Sequence, residues 1–191
     1  MHIADGIISN YICLSAHVVS ISLVAYTGRK ADADDIPVMG ITGAALFVIS
    51  LIHIPFAGTT LHLGLFGLAG ILLGLRSIPV IYTVLLFQSL IFQHGGLMTL
   101  GVNVLNMSAG AYFAFLIWKW KVIPESIRAI LAGIAGVFVP VSLMGIEFML
   151  TGYGKGILLL FSIYIVAAIA EAMLTVGIVK FFRKIKSDIL K

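Results

Sequence analysis

Residues 157–180 read ILLLFSIYIVAAIAEAMLTVGIVK, with Glu171 the one acidic or basic residue before the closing Lys180. At helical rise this stretch is about 36 Å long, enough to cross a hydrocarbon core of about 30 Å. The rest of the chain has too few polar groups to cover such a helix in water: of 191 residues, 61% are hydrophobic and 10% charged, and mean hydropathy is +1.15. An ordinary soluble domain carries about 25% charged residues. Composition therefore excludes a soluble globular domain and leaves an all-α polytopic membrane protein.

Breaks at charges, prolines and polar clusters place the other spans at 9–27, 36–53, 61–75, 78–93, 99–118 and 127–149, about seven transmembrane helices in a single domain over 1–191. As one helix, 61–93 would run about 50 Å, so Arg76, Ser77 and Pro79 read as a tight hairpin between two short spans. The span 61–75 is too short to cross fully unless it tilts or extends to residues before His62, and six crossings is the alternative. With seven crossings and the N-terminus outside, every one of the 12 Lys and Arg residues except Lys155 falls on the cytoplasmic side. That bias sets the N-terminus outside and the C-terminus in the cytoplasm. It also accounts for the net charge of +4 through loops rather than nucleic-acid binding. The lone Cys13 has no partner in the chain for a disulfide.

The N-terminal segment 1–8 carries the most distinctive chemistry. MHIADGIIS has no basic stretch and no small-residue cleavage site ahead of the first span, so the chain is expected to function from Met1. A free amine on Met1 followed by His2 offers three nitrogens in sequence: the α-amine, the His2 amide and its imidazole Nδ1. Three nitrogens held nearly in a plane suit Ni(II) or Cu(II), with a fourth ligand to be supplied from elsewhere. His53, His62 and His94 fall at the outer ends of spans, on the side of His2, whereas His17 lies within the first span. Interfacial histidines are common without a metal, and spacing alone leaves both readings open.

Other signals narrow the function. The chain has no G-x-x-x-x-G-K-[ST] phosphate loop, no H-E-x-x-H and no G-x-S-x-G, so it is not expected to be an enzyme or to energise transport itself. Glu171, inside the last span, reads as a polar contact with Thr175 within the bundle, and Glu147 as a solvated carboxylate near a span end. The pairs Gly40 and Ala44, Gly70 and Gly74, and Ala132 and Gly136 are spaced for close helix packing.

Four stretches carry a family resemblance: MHIADG at the N-terminus, PFAGTTLHLGLFGLAGILLG from Pro55 to Gly74, LLFQSLIFQHGGLMTLGVNVLNM from Leu85 to Met107, and AEAMLT from Ala170 to Thr175. Together they resemble the CbiM/NikM family, the membrane substrate-binding (S) components of energy-coupling-factor transporters for cobalt and nickel. The resemblance implies that the N-terminal segment folds back into the bundle and that Met1, His2 and His62 hold the metal. Asp5, His94 and Asn103 then support the segment. Ala4 departs from the family's usual proline, which makes the terminal turn costlier to order. The resemblance further implies a transmembrane coupling (T) component, two cytoplasmic ATPase subunits and a small accessory membrane protein as partners, in the inner membrane of a prokaryote. Ni(II) or Co(II) is cargo rather than a permanent cofactor, and planar nitrogen ligation leans toward nickel. The alternatives are an ion-coupled secondary transporter, with Glu171 as its coupling group, and a metal-sensing membrane scaffold.

Overall fold

Seven α-helices occur among the described residues: α1 Asn10–Gly28, α2 Ile36–Ser50, α3 Phe66–Leu73, α4 Ser77–Phe92, α5 Leu100–Lys119, α6 Glu125–Leu150 and α7 Ile157–Lys184. Strands β1 Ile54–Phe56 and β2 Thr59–Leu61 pair antiparallel, with Ile54 opposite Leu61. The computed structural model describes residues 2–52, 54–56, 59–185 and 190. Helix starts follow local chemistry. Pro37 and Pro79 stand in the first turns of α2 and α4 and Pro124 just before α6, positions where a backbone N–H would have no intrahelical partner.

The expected span 61–75 is the element that the structure corrects. Residues 54–61 form the hairpin rather than a helical extension, 62–65 are irregular, and α3 is only 8 residues long. At about 12 Å it falls well short of a hydrocarbon core. Six stretches, not seven, are long and apolar enough to cross a membrane, with Phe66–Phe92 counting as one. That stretch is not a single rod. His62, just before α3, touches His94, just after α4, while Arg76 between the two helices pairs with Asp35 at the start of α2. The chain therefore runs in along 62–73 and back along α4.

Every residue of α3 except Leu72 is buried. The helix packs chiefly on α5 and α6 and forms the centre of the molecule, where Ala69, Val104, Ala111, Val137 and Val141 meet. Polarity runs opposite to that of a soluble protein. Leu158 and Met173 of α7 are 82% and 71% exposed, while Glu171 on the same helix is 1% exposed. A surface of this kind faces lipid. At the end of the bundle away from His62, Arg183 grips Glu125 through two nitrogens at 2.7–3.0 Å, and Arg128 donates to the Trp118 carbonyl at 2.5 Å.

Small residues allow the central crossing. A Cβ on Gly136 would run into the backbone of Gly67, and one on Gly70 into the Ala111 carbonyl. Gly40, by contrast, has open space around it, so its pairing with Ala44 serves no close contact among the described residues. Gly136→Ala should therefore destabilise the bundle by about 1–3 kcal/mol, the usual cost of overpacking, while Gly40→Ala should be neutral or slightly stabilising. Thermal unfolding of the two variants in detergent checks the contrast.

Candidate metal centre

The N-terminal segment is seated by one apolar anchor and three polar side chains. Ile3 is 1% exposed and packs with Ile8, Cys13, Ala16, Val102 and Met144. Asn103 of α5 pairs with the backbone of Ile3 in both directions: the Ile3 N–H donates to Oδ1 at 2.8 Å, and Nδ2 donates to the Ile3 carbonyl at 3.0 Å. Thr99 adds a hydroxyl bond to the same carbonyl at 2.7 Å. Its backbone N–H and hydroxyl also donate to the Asp5 carboxylate at 2.9 and 3.1 Å.

Asp5 thus sits at the N-terminal end of α5, where unpaired amides and the helix dipole favour an anion. Burial alone would raise its pKa, but the donors at the start of α5, Thr99 foremost with the backbone of Met98 and Leu97, outweigh that and hold the carboxyl below its ordinary value. A lowered carboxyl stabilises docking at pH above about 4 and loses that contribution as pH falls through its folded value. Glycines make room for the segment. A Cβ on Gly96 would collide with the Asp5 carboxylate, and one on Gly95, whose φ is +79°, would stand 3.4 Å from His2.

The seating delivers His2 to two further imidazoles. Its ring lies 5.2 Å from that of His62, nearly stacked, and 4.6 Å from that of His94, edge on. His62 and His94 meet at 3.1 Å between their Nε2 atoms. One ligand nitrogen from each of the three lies within 4.8 Å of the others. Nitrogens on opposite sides of one ion, with bonds of about 2 Å, stand about 4 Å apart, so the cluster needs to draw in by less than about 1 Å to close on a metal. Both ring nitrogens of His2 are buried and lack a hydrogen bond of sound geometry. Gln88 lies near enough to favour its protonated form slightly. Burial dominates and pushes the imidazole well below its ordinary pKa, leaving the neutral ring that ligates metal.

The other predicted residues distribute as follows. Met1 and His53 lie outside the described residues. His17 is apart from the cluster, its Nε2 3.0 Å from the Leu97 carbonyl. Glu147 is not simply solvated: its Oε2 accepts from Asn106 Nδ2 at 2.9 Å. Glu171 does not pair with Thr175 but accepts from the backbone N–H groups of Gly64 and Leu65, at 2.6 and 3.1 Å. Sequence reasoning missed Thr99, although a threonine directly before a long apolar run is a recognisable helix-start signal. It placed the end of α4 correctly but gave no sign of the turn there, where Gln93 is left-handed at φ 51° and the His94 N–H returns to the Gln88 carbonyl at 3.1 Å.

A lipid-facing helical bundle that folds the start of its N-terminal segment inward and gathers three imidazoles there defines a multi-pass membrane protein with a cluster of ligand nitrogens that could hold a metal ion. Residues 2–189 match the model of the CbiM family, described as the cobalt uptake substrate-specific transmembrane region, and the chain belongs to that family. It is 30% identical over 212 residues to the cobalt transport protein CbiM of Sorangium cellulosum, covering 100% of this chain and 94% of that one. It is 33% identical over 147 residues to the fused nickel transport protein NikMN of Rhodobacter capsulatus, where the match covers 71% of this chain and 42% of the longer relative. The fold is that of a transition metal transporter crystal structure, at a TM-score of 0.86 and 23% identity, covering 100% of this chain and 96% of that one.

Asn103→Leu should leave the Ile3 amide and carbonyl short of partners in an apolar wall, at a cost of about 1–3 kcal/mol to docking. The expected result is faster proteolysis or hydrogen exchange confined to residues 2–8, with the helices unchanged. Unaltered protection of that segment would show that Asn103 does not seat it.

Proposed function

We propose that this chain is the substrate-capturing S component of an ATP-driven uptake transporter for Ni(II) or Co(II), with nickel favoured. The convergence of His2, His62 and His94 carries the reading, because the buried His2 nitrogens have no sound hydrogen bond and face two other imidazoles. The ion is cargo. The Met1 amine, the His2 amide and imidazole, and His62 surround it with nitrogen, while Asp5 and Asn103 hold the segment and His94 steadies His62 across their 3.1 Å contact. An arrangement of four nitrogens in a plane is the geometry that Ni(II) prefers.

The Lys and Arg bias puts the basic end in the cytoplasm of a prokaryote and the histidine cluster outside, with α3 and α4 together passing in and back. Metal is captured outside and released inward. The chain lacks a phosphate loop, so ATP hydrolysis falls to two cytoplasmic ATPase subunits acting through a transmembrane coupling component. A small accessory membrane protein completes the assembly, and the longer fused nickel relative supports such multi-component partnership. An ion-coupled carrier acting alone is disfavoured, because its one coupling candidate, Glu171, is engaged by backbone amides.

Adding two residues before Met1 should abolish tight Ni(II) binding, whereas a C-terminal tag should not. His2→Ala and His62→Ala should each lose uptake by cells carrying the whole transporter, with His17→Ala near normal. Retained binding by the extended chain would remove the Met1 amine from the ligand set.

Protons compete for the amine, the amide and the imidazoles, so affinity should weaken as pH falls through roughly 7 to 5. The lowered pKa of His2 means that its ring contributes to this loss only below its ordinary value of about 6.5, and the amine and amide dominate above it. A planar four-nitrogen nickel site should be yellow and diamagnetic. Paramagnetic nickel whose affinity barely changes over that range would sink the chelate.

A further inference from the structure

We infer that Glu171 is the positioning residue for His62, tying the loop that bears this ligand to α7; the inference rests on the proposed metal site. Glu171 lies near the middle of α7 and is 1% exposed. Among the described residues no basic side chain pairs with it. One oxygen, Oε1, instead accepts both the Gly64 N–H at 2.6 Å and the Leu65 N–H at 3.1 Å. These amides belong to the two residues that close the irregular segment between His62 and α3.

That segment holds an unfavourable shape. Leu65 sits at φ 51°, a left-handed conformation rare for a branched side chain, directly before the first turn of α3. A Cβ on Gly64 would strike the ring of the buried Phe66, so the loop passes that ring at a distance only glycine allows. No water is at hand in an apolar interior to satisfy two adjacent amides. The acceptor on α7 meets both and stabilises the left-handed turn. Glu171 Oε2 and the Thr175 hydroxyl, one turn further on, make no hydrogen bond among the described residues, so the contact at Oε1 is what this position contributes to the fold.

The consequence is mechanical. Helix α7 packs mainly on α6 and touches α3 and β2. A shift of α7 relative to α3 moves Gly64 and Leu65 with it and turns His62 away from His2. Glu171 thereby makes metal retention depend on the position of the last helix, which runs the length of the bundle to its basic end.

The test uses the full chain, purified in detergent and loaded with Ni(II). Wild-type protein must first show a nickel absorption band that His2→Ala abolishes; without it the metal site itself fails, independently of Glu171. Glu171→Gln keeps a carbonyl acceptor and should retain the band, with release within about threefold of wild type. Glu171→Ala should shift the band and speed release at least about tenfold, the usual worth of losing a buried hydrogen-bond pair. Thr175→Val, one turn away, should leave both readouts unchanged. The inference is overturned by wild-type behaviour of Glu171→Ala, by a Gln variant as impaired as the Ala variant, or by an equal effect of Thr175→Val. Should Glu171→Ala fail to accumulate, hydrogen exchange of the wild-type protein decides: amides of Gly64 and Leu65 protected like those inside α3 support the clamp, and rapid exchange there overturns it.

Discussion

A backbone amide inside an apolar bundle must find a partner within the protein, because lipid offers none. Helices meet this demand internally, yet this molecule brings two non-helical segments inside. Residues 2–3 and 62–65 each carry a histidine of the cluster, and the backbone groups of Ile3, Gly64 and Leu65 are met by side chains reaching from neighbouring helices. Asn103 and Thr99 of the α5 end serve the first, and Glu171 of α7 serves the second. The buried polar residues that interrupt otherwise apolar helices are therefore the scaffold of the site.

Packing at the centre makes this geometry attainable. With Gly67 against Gly136 and Gly70 against Ala111, α3 lies close enough to α5 and α6 to be buried on nearly every side. A helix so enclosed need not match the thickness of a membrane. Its shortness leaves four irregular residues between β2 and Phe66, and this is where His62 is placed. A longer α3 would carry His62 into a helical turn and away from His2.

Much of this was legible in the sequence. Six of the seven expected helices begin and end within a few residues of the observed ones, because long apolar runs bounded by charge and proline leave little freedom. The structure brings His2, His62, His94, Asn103 and Asp5 together at one end. Residues 61–65 were misread as the start of a helix because they continue into the apolar run of α3, and hydropathy cannot distinguish a strand end and loop from a span. The role of Glu171 was likewise hidden. A carboxylate in a helix shows its cost in the sequence, but the amides it serves lie more than a hundred positions earlier and become neighbours only in the fold.

The seating of the N-terminal segment has one more consequence, in the language of tethers. His2 is joined to the rigid start of α1 at Asn10 by a short leash, so even when unseated it stays within a small volume around His62. For short flexible links the effective concentration of such a ligand is on the order of millimolar. Opening the site thus never surrenders its ligands to bulk solution. On the ligand set proposed above, opening would loosen a chelate whose halves remain together, so that an ion would pass to fewer donors in steps, each far easier than stripping the whole shell at once.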